Sequence, residues 1–173
     1  AAQRPDQYIA ISKTVQRRIK KYYGRDSEVI YPGIETKKGK RQKAKSKITI
    51  QNSKFFLIVS RLVAYKRVDL AIEAFNQLGW SLKIIGTGRE ERKLKKMAKP
   101  NIEFLGWLTD EELMSYYQNC RALIFPGEED FGLTPLEVQS CGKPVIAYKS
   151  GGVLETVIEG KTGVFFENQT PES

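Results

Sequence analysis

The stretch Glu128-Glu129-Asp130-Phe131-Gly132-Leu133-Thr134-Pro135-Leu136-Glu137 sets three acids behind an apolar run and ends on a fourth. Thr134, Pro135 and Glu137 fit a capping box, with threonine as N-cap, proline at the first helical position and a glutamate reaching back to the cap. Such a cap contributes about 1 kcal/mol, which is reason enough for these residues on structural grounds. It leaves Glu128, Glu129, Asp130 and Gly132 unexplained. A helix start favours negative charge, which accounts for the acids in part. Glycine just ahead of the cap lets an anion approach the free N–H groups of the first turn. Together these residues suggest a place where an anion and hydroxyl-rich groups are held side by side.

A second constellation is Arg61 and Lys66, five positions apart in the loop after the apolar run 55–59. Two cations there could clamp a diphosphate and stabilise charge on a leaving group, or could be solvated loop charges. Arg67 is a neutral bystander on this reading, and Asp69 favours the first turn of the next helix. Gly86-Thr87-Gly88 also follows an apolar run, but Glu91 stands where a dinucleotide fingerprint has its third glycine, which argues against an oxidoreductase. Trp107 ends another such run and could flank a base or pack in a core or interface; Thr109 with Glu112 forms a second capping-box pattern. Gly151-Gly152 reads as a backbone turn that could also line a cleft. The sequence has no histidine, so any acid–base chemistry within it falls to carboxylates.

These residues need a scaffold, and from Phe55 the pattern supplies one. Apolar runs at 55–60, 82–86, 102–106, 122–126, 144–148 and 163–166 alternate with helical stretches, a pattern of six strands and five helices. This predicts an α/β fold, a Rossmann-like doubly wound parallel sheet whose ligands bind at the carboxyl ends of the strands. Upstream, Ile9 and its neighbours predict a strand, and residues 13–23 a helix burying Val15, Ile19 and Tyr22 or Tyr23 before Gly24 stops it. Three parts follow: a junction at 1–33, a basic loop at 34–47, and a ligand-binding domain from 48 to 173 that reads as truncated at its C-terminal end. The whole reads as a fragment of a longer protein.

With 173 residues the chain can build one ordinary core, and Cys120 and Cys141 read as reduced core thiols. It has neither a run long enough to span a membrane nor a signal-peptide pattern, so an intracellular protein is expected. Its net charge of +9 is concentrated in residues 13–25 and 37–47, whereas residues 103–130 are acidic. Such basic faces could meet phosphate, an anionic membrane or only water.

In order, the segments 59–75, 84–88, 102–113, 122–148 and 150–166 resemble the C-terminal, donor-binding domain of retaining glycosyltransferases of the GT-B fold, family 4 (group 1). The likeness covers about residues 48–167, and residues 7–34 look like the family's junction from its N-terminal domain. Glu129 and Glu137, separated by seven residues, match the family's glutamate pair. The resemblance implies that Glu129 sits at the transferred sugar and that Glu137 accepts from the ribose hydroxyls. Phe131, Gly132, Leu133 and Thr134 would hold the sugar or diphosphate, Arg61 and Lys66 would bind the diphosphate, and Trp107 and Leu108 would flank the base.

Within the family the chain is most similar to mannosyltransferases of polysaccharide biosynthesis. A hexose, mannose from GDP-mannose, would pass to a glycan or lipid-linked acceptor held by an N-terminal domain. The chemistry implied requires no metal or other cofactor. A cytoplasmic site with peripheral membrane contact fits such enzymes, and the fragment alone would transfer little. Two other readings stay open: a GT-B relative that hydrolyses or epimerises nucleotide sugars, and a basic nucleic-acid-binding module centred on residues 37–47. The second is weakened by the lack of aromatic residues in that run.

Overall fold

Strand formation follows the apolar runs closely. The computed structural model describes residues 4–34 and 55–173, and the basic run at 37–47 and the boundary at 48 lie outside them. From Phe55 onward the strands are β3 (Phe56–Val59), β4 (Leu82–Ile85), β5 (Ile102–Gly106), β6 (Leu123–Phe125), β7 (Val145–Tyr148) and β8 (Gly163–Phe166). All pair in parallel, in the order β5-β4-β3-β6-β7-β8. The chain thus winds outward from β3 to β5, then returns to β6 on the other side of β3 and winds outward again. The loops after β3 and β6 diverge at that reversal, and a cleft opens between them at the carboxyl ends of the strands.

Both faces of the sheet are covered, so the central strands β3, β6 and β7 are apolar along their length, while β4 and β5 each carry one charge, Lys83 and Glu103, which pair at 2.6 Å. Phe56, Ile58, Leu82, Ile84 and Ile124 face α2 (Val68–Leu78) and α3 (Glu91–Met97). Leu57, Leu123, Phe125, Val145 and Ala147 face α4 (Asp110–Asn119) and α5 (Leu133–Ser140), where Tyr117 and Val138 complete the layer. Cys120 and Cys141 are free thiols at the ends of those two helices, and burial pushes Cys120 up to about 11. A fifth full helix, expected from residues 152–160, does not form. The chain makes only a 3-10 turn at Gly152–Glu155, because Gly151 and Gly152 pack directly on the backbone of residues 129–131 and leave no room for a regular first turn.

Residues 9–29 form a small β-α-β unit of β1 (Ile9–Ala10), α1 (Lys13–Tyr23) and β2 (Glu28–Val29), with β1 and β2 parallel. Ser12 caps α1 by accepting from the Val15 amide, and Gly24 closes it in a left-handed conformation. The buried side of this segment differs from the expected stripe. Ser12, Thr14 and Ile19 are buried, whereas Tyr22 and Tyr23 face solvent, because the segment packs by polar contacts near its start. Among the described residues no helix is long and apolar enough to cross a membrane.

Strand ends are locked to one another by close backbone approach. A Cβ on Gly86, after β4, would fall 2.0 Å from the Ser60 carbonyl oxygen after β3, and Gly86 also has a φ of +124°. Gly86→Ala should therefore lower stability by about 1–3 kcal/mol, seen as a lower urea midpoint with an unchanged slope.

Candidate functional site

The cleft at the reversal encloses about 710 Å³ and is walled by the loops after β3, β4, β5 and β6. That volume suits a nucleotide-sized ligand. It gathers most of the residues singled out in the sequence: Arg61, Lys66, Trp107, Leu108, Glu129, Phe131, Gly132, Leu133 and Thr134 all line it. Glu137 does not.

After β3 the chain turns through a 3-10 segment, Ala64–Lys66, which brings Lys66 to the floor of the cleft. Gly127 makes this placement possible: a Cβ there would lie 2.8 Å from Lys66 Cα and from the Tyr65 carbonyl oxygen. Arg67 next to it has a φ of +51°, bonds Asp69 and Gln169, and ends the turn, so it is a structural hinge rather than a bystander. Lys66 forms an ion pair with Glu129, and both side chains are largely buried. Burial, then the neighbouring Arg61 guanidinium, bring the Lys66 ammonium down to about 8, with Asp130 opposing. Arg61 is more exposed and donates to the Tyr65 hydroxyl at 3.1 Å.

Helix α5 points its start into the same space. The capping box expected at Thr134 is replaced by another arrangement: Gly132, with a φ of +87°, is the cap residue, and the helix runs from Leu133. Thr134 and Pro135 therefore lie inside the first turn, where proline's missing N–H costs nothing. Gly132, Leu133 and Thr134 face the cleft, where the unsatisfied first-turn N–H groups and the positive end of the helix dipole favour an anion. Glu137 has turned to α4, accepting from the Tyr117 hydroxyl at 2.7 Å. Burial and this carboxylate together push the Tyr117 hydroxyl far above the ordinary phenol range. The second capping box, at Thr109, forms as expected: Glu112 accepts from the Thr109 amide at 2.9 Å, and the Thr109 hydroxyl accepts from the Glu112 amide.

The far end of the cleft is shaped by a shift in register between β4 and β5, where Ile84 opposes Phe104 but Ile85 opposes Gly106. The irregularity closes the β4–β5 pairing at Gly106, just before Trp107. Trp107 stands at the mouth, 75% exposed, with Leu108 half-buried beside it. Asp110 joins them in the lining, a residue the sequence marked only as part of an acidic segment. Gly151 and Gly152 are not part of the lining; they support the Glu129 loop from behind, Gly152 donating to the Glu129 carbonyl at 2.7 Å.

The three acids divide their work. Glu129 alone meets Lys66, while Glu128 and Asp130 both accept from the Arg18 guanidinium of α1. Phe131 is buried, with its ring stacked on Tyr31 at 5.7 Å between centroids. The cleft at the reversal of the parallel sheet thus holds two cations, a helix start and three carboxylates, Asp110, Glu129 and Asp130. The sequence model of one family, Glycosyl transferases group 1, matches residues 40–173.

The chain belongs to the group 1 glycosyl transferases. It is 30% identical over 96% of its length to an uncharacterized glycosyltransferase of Methanocaldococcus jannaschii, covering 46% of that protein. It is 34% identical over 67% of its length to the alpha-1,3/1,6-mannosyltransferase ALG2 of Dictyostelium discoideum, covering 34% of it. The crystal structure of HepE from Anabaena in complex with UDP-glucose superimposes with a TM-score of 0.80 at 25% identity, over 99% of this chain and 52% of that one. This glycosyltransferase chain thus spans less than half of the length of these curated relatives and about half of the structural one, and its sheet and helices are those of a GT-B domain.

Lys66 sets a pH dependence for any diphosphate ligand of this cleft. A diphosphate held by Lys66 would take the ammonium form and raise its pKa, so its affinity should be full well below pH 8 and fall above it, by up to about tenfold per pH unit. Calorimetric titrations from about pH 7 to about pH 10 should show this decline, and Lys66→Arg should flatten it because a guanidinium stays charged throughout.

Proposed function

We propose that this chain is the nucleotide-sugar-binding domain of a retaining glycosyltransferase that moves a hexose, mannose carried on GDP, to a glycan or lipid-linked acceptor. The convergence of Arg61, Lys66, the start of α5 and Glu129 in one cleft carries this reading. In the transfer, the bond between the anomeric carbon and the diphosphate oxygen breaks with its electron pair going to the leaving group. The acceptor oxygen bonds to that carbon on the same face, and its proton is released with the products. Negative charge grows on the diphosphate and positive charge on the sugar, so two cations and the first-turn amides stabilise the departing group where it forms. Glu129, facing them, balances the charge on the sugar. The acceptor would be held by a further domain, joined to this one through residues 1–33.

The base end favours guanine through Asp110. A carboxylate accepts two parallel N–H bonds, and guanine presents two donors, N1–H and the 2-amino group, on one edge where uracil presents one. A relative named as a GDP-mannose-dependent mannosyltransferase, 28% identical over 79% of this chain, supports this choice. A UDP-sugar is the second reading, favoured by the UDP-glucose held by HepE.

Calorimetry with GDP, UDP, GDP-mannose and UDP-glucose separates these readings. GDP should bind about tenfold more tightly than UDP, and Asp110→Ala should erase most of that margin. Equal or tighter UDP binding would select the second reading, and no binding of any of the four by the folded chain would overturn both. Glu129→Ala should leave GDP affinity unchanged or tighter, because Lys66 is freed, and should weaken GDP-mannose relative to GDP by about tenfold, one charge-assisted contact; equal losses for both ligands would count against Glu129 at the sugar.

A further inference from the structure

Glu129 meets the cleft from a short loop that is anchored twice. Behind it, the Gly152 amide donates to the Glu129 carbonyl and a bridge pairs Glu129 with Gly151. These bonds belong to the domain itself. In front, the contacts come from the junction: Arg18 of α1 donates from one guanidinium nitrogen to Glu128 and from the other to Asp130, and the Ser12 hydroxyl donates to the Asp130 carbonyl at 2.6 Å. Helix α1 is in turn held by Glu155, which follows that glycine pair. Its carboxylate accepts from the Lys13 and Thr14 amides and from the Tyr31 hydroxyl. Burial would raise the Glu155 pKa, but those three donors outweigh it and keep the group ionised.

We propose that Arg18 is a positioning residue for Glu129, holding the two acids that flank it aside, Glu128 together with the Ser150 hydroxyl at 2.8 Å, so that Glu129 alone reaches the cations of the cleft. The inference rests on the donor-binding reading of the cleft. Three consecutive carboxylates repel one another, and Asp130 lines the cleft and already acts on the charge of Lys66. Without Arg18, Asp130 and Glu129 compete for Lys66, and the Glu129 carboxylate no longer has one place. The guanidinium can serve both neighbours because its nitrogens are held in a fixed plane, one to each acid; an ammonium offers no such fork. Exposed ion pairs add little to global stability, so the effect of removing this one falls on local geometry. The position of a sugar-facing carboxylate is thereby set by a helix that precedes the domain in sequence.

The test compares wild type, Arg18→Ala and Arg18→Lys by calorimetry with GDP and GDP-mannose, together with amide hydrogen exchange. In Arg18→Ala, GDP affinity should stay within about twofold while GDP-mannose affinity falls by about five- to tenfold, and Arg18→Lys should recover only part of that loss. Amides of residues 129–133 should exchange faster while those of β3 keep their wild-type rates. An unchanged ratio of the two affinities overturns the proposal, as does an equal loss of both, since Arg18 would then support the whole cleft. If wild type binds neither nucleotide, the donor-binding reading fails by itself and the exchange decides for Arg18: no change at residues 129–133 overturns its positioning role.

Discussion

Each loop around the cleft rests on the backbone of another, and it does so only where a side chain is missing. Gly86 and Gly88 lie against Ser60 and Leu62, Gly127 against the Tyr65–Lys66 turn, and Gly152 against Asp130 and Phe131. These approaches tie the ends of β3, β4, β6 and β7 into one rim. The side chains that face the cleft then need few restraints of their own, because the backbone carrying them is already fixed. Such a rim suits a site that stabilises charge, since preorganised groups work without reorganising when the charge appears.

Within that rim several charges already have partners. Lys66 has Glu129, Arg18 has Glu128 and Asp130, and Glu155 has the start of α1. The junction and the domain are therefore joined at the point where the cleft's own carboxylate originates. The start of α5 differs, because its first-turn amides face the cleft and no side chain caps them. The helix start and Arg61 form the part of the wall most open to an incoming anion.

The strands and the cleft were legible in the sequence because both follow short-range rules. Apolar runs became strands nearly residue for residue, and the strand-end positions of Arg61, Lys66, Glu129 and Gly132 brought them together. The two capping-box patterns show where such rules stop. At Thr109 nothing competes for Glu112, and the box forms; at Thr134 the same pattern yields to Gly132 as cap and to Tyr117, which takes Glu137. The partner of the two leftover acids was out of reach for a similar reason, since Arg18 lies 110 residues before Glu128 and no local spacing relates them. The fifth helix failed because its first residues serve the loop they pack on, and Asp110 went unnoticed because it is an exposed first-turn acid of α4, which helix-start rules already explain.

The Lys66–Glu129 pair has one more consequence, for selectivity against small anions. Any anion that reaches Lys66 has to part it from Glu129 and leave that carboxylate in a largely buried place, unless the anion also carries a donor for it. The resting ion pair is thus a higher threshold for a bare anion such as inorganic phosphate than for an anion that carries hydroxyl groups.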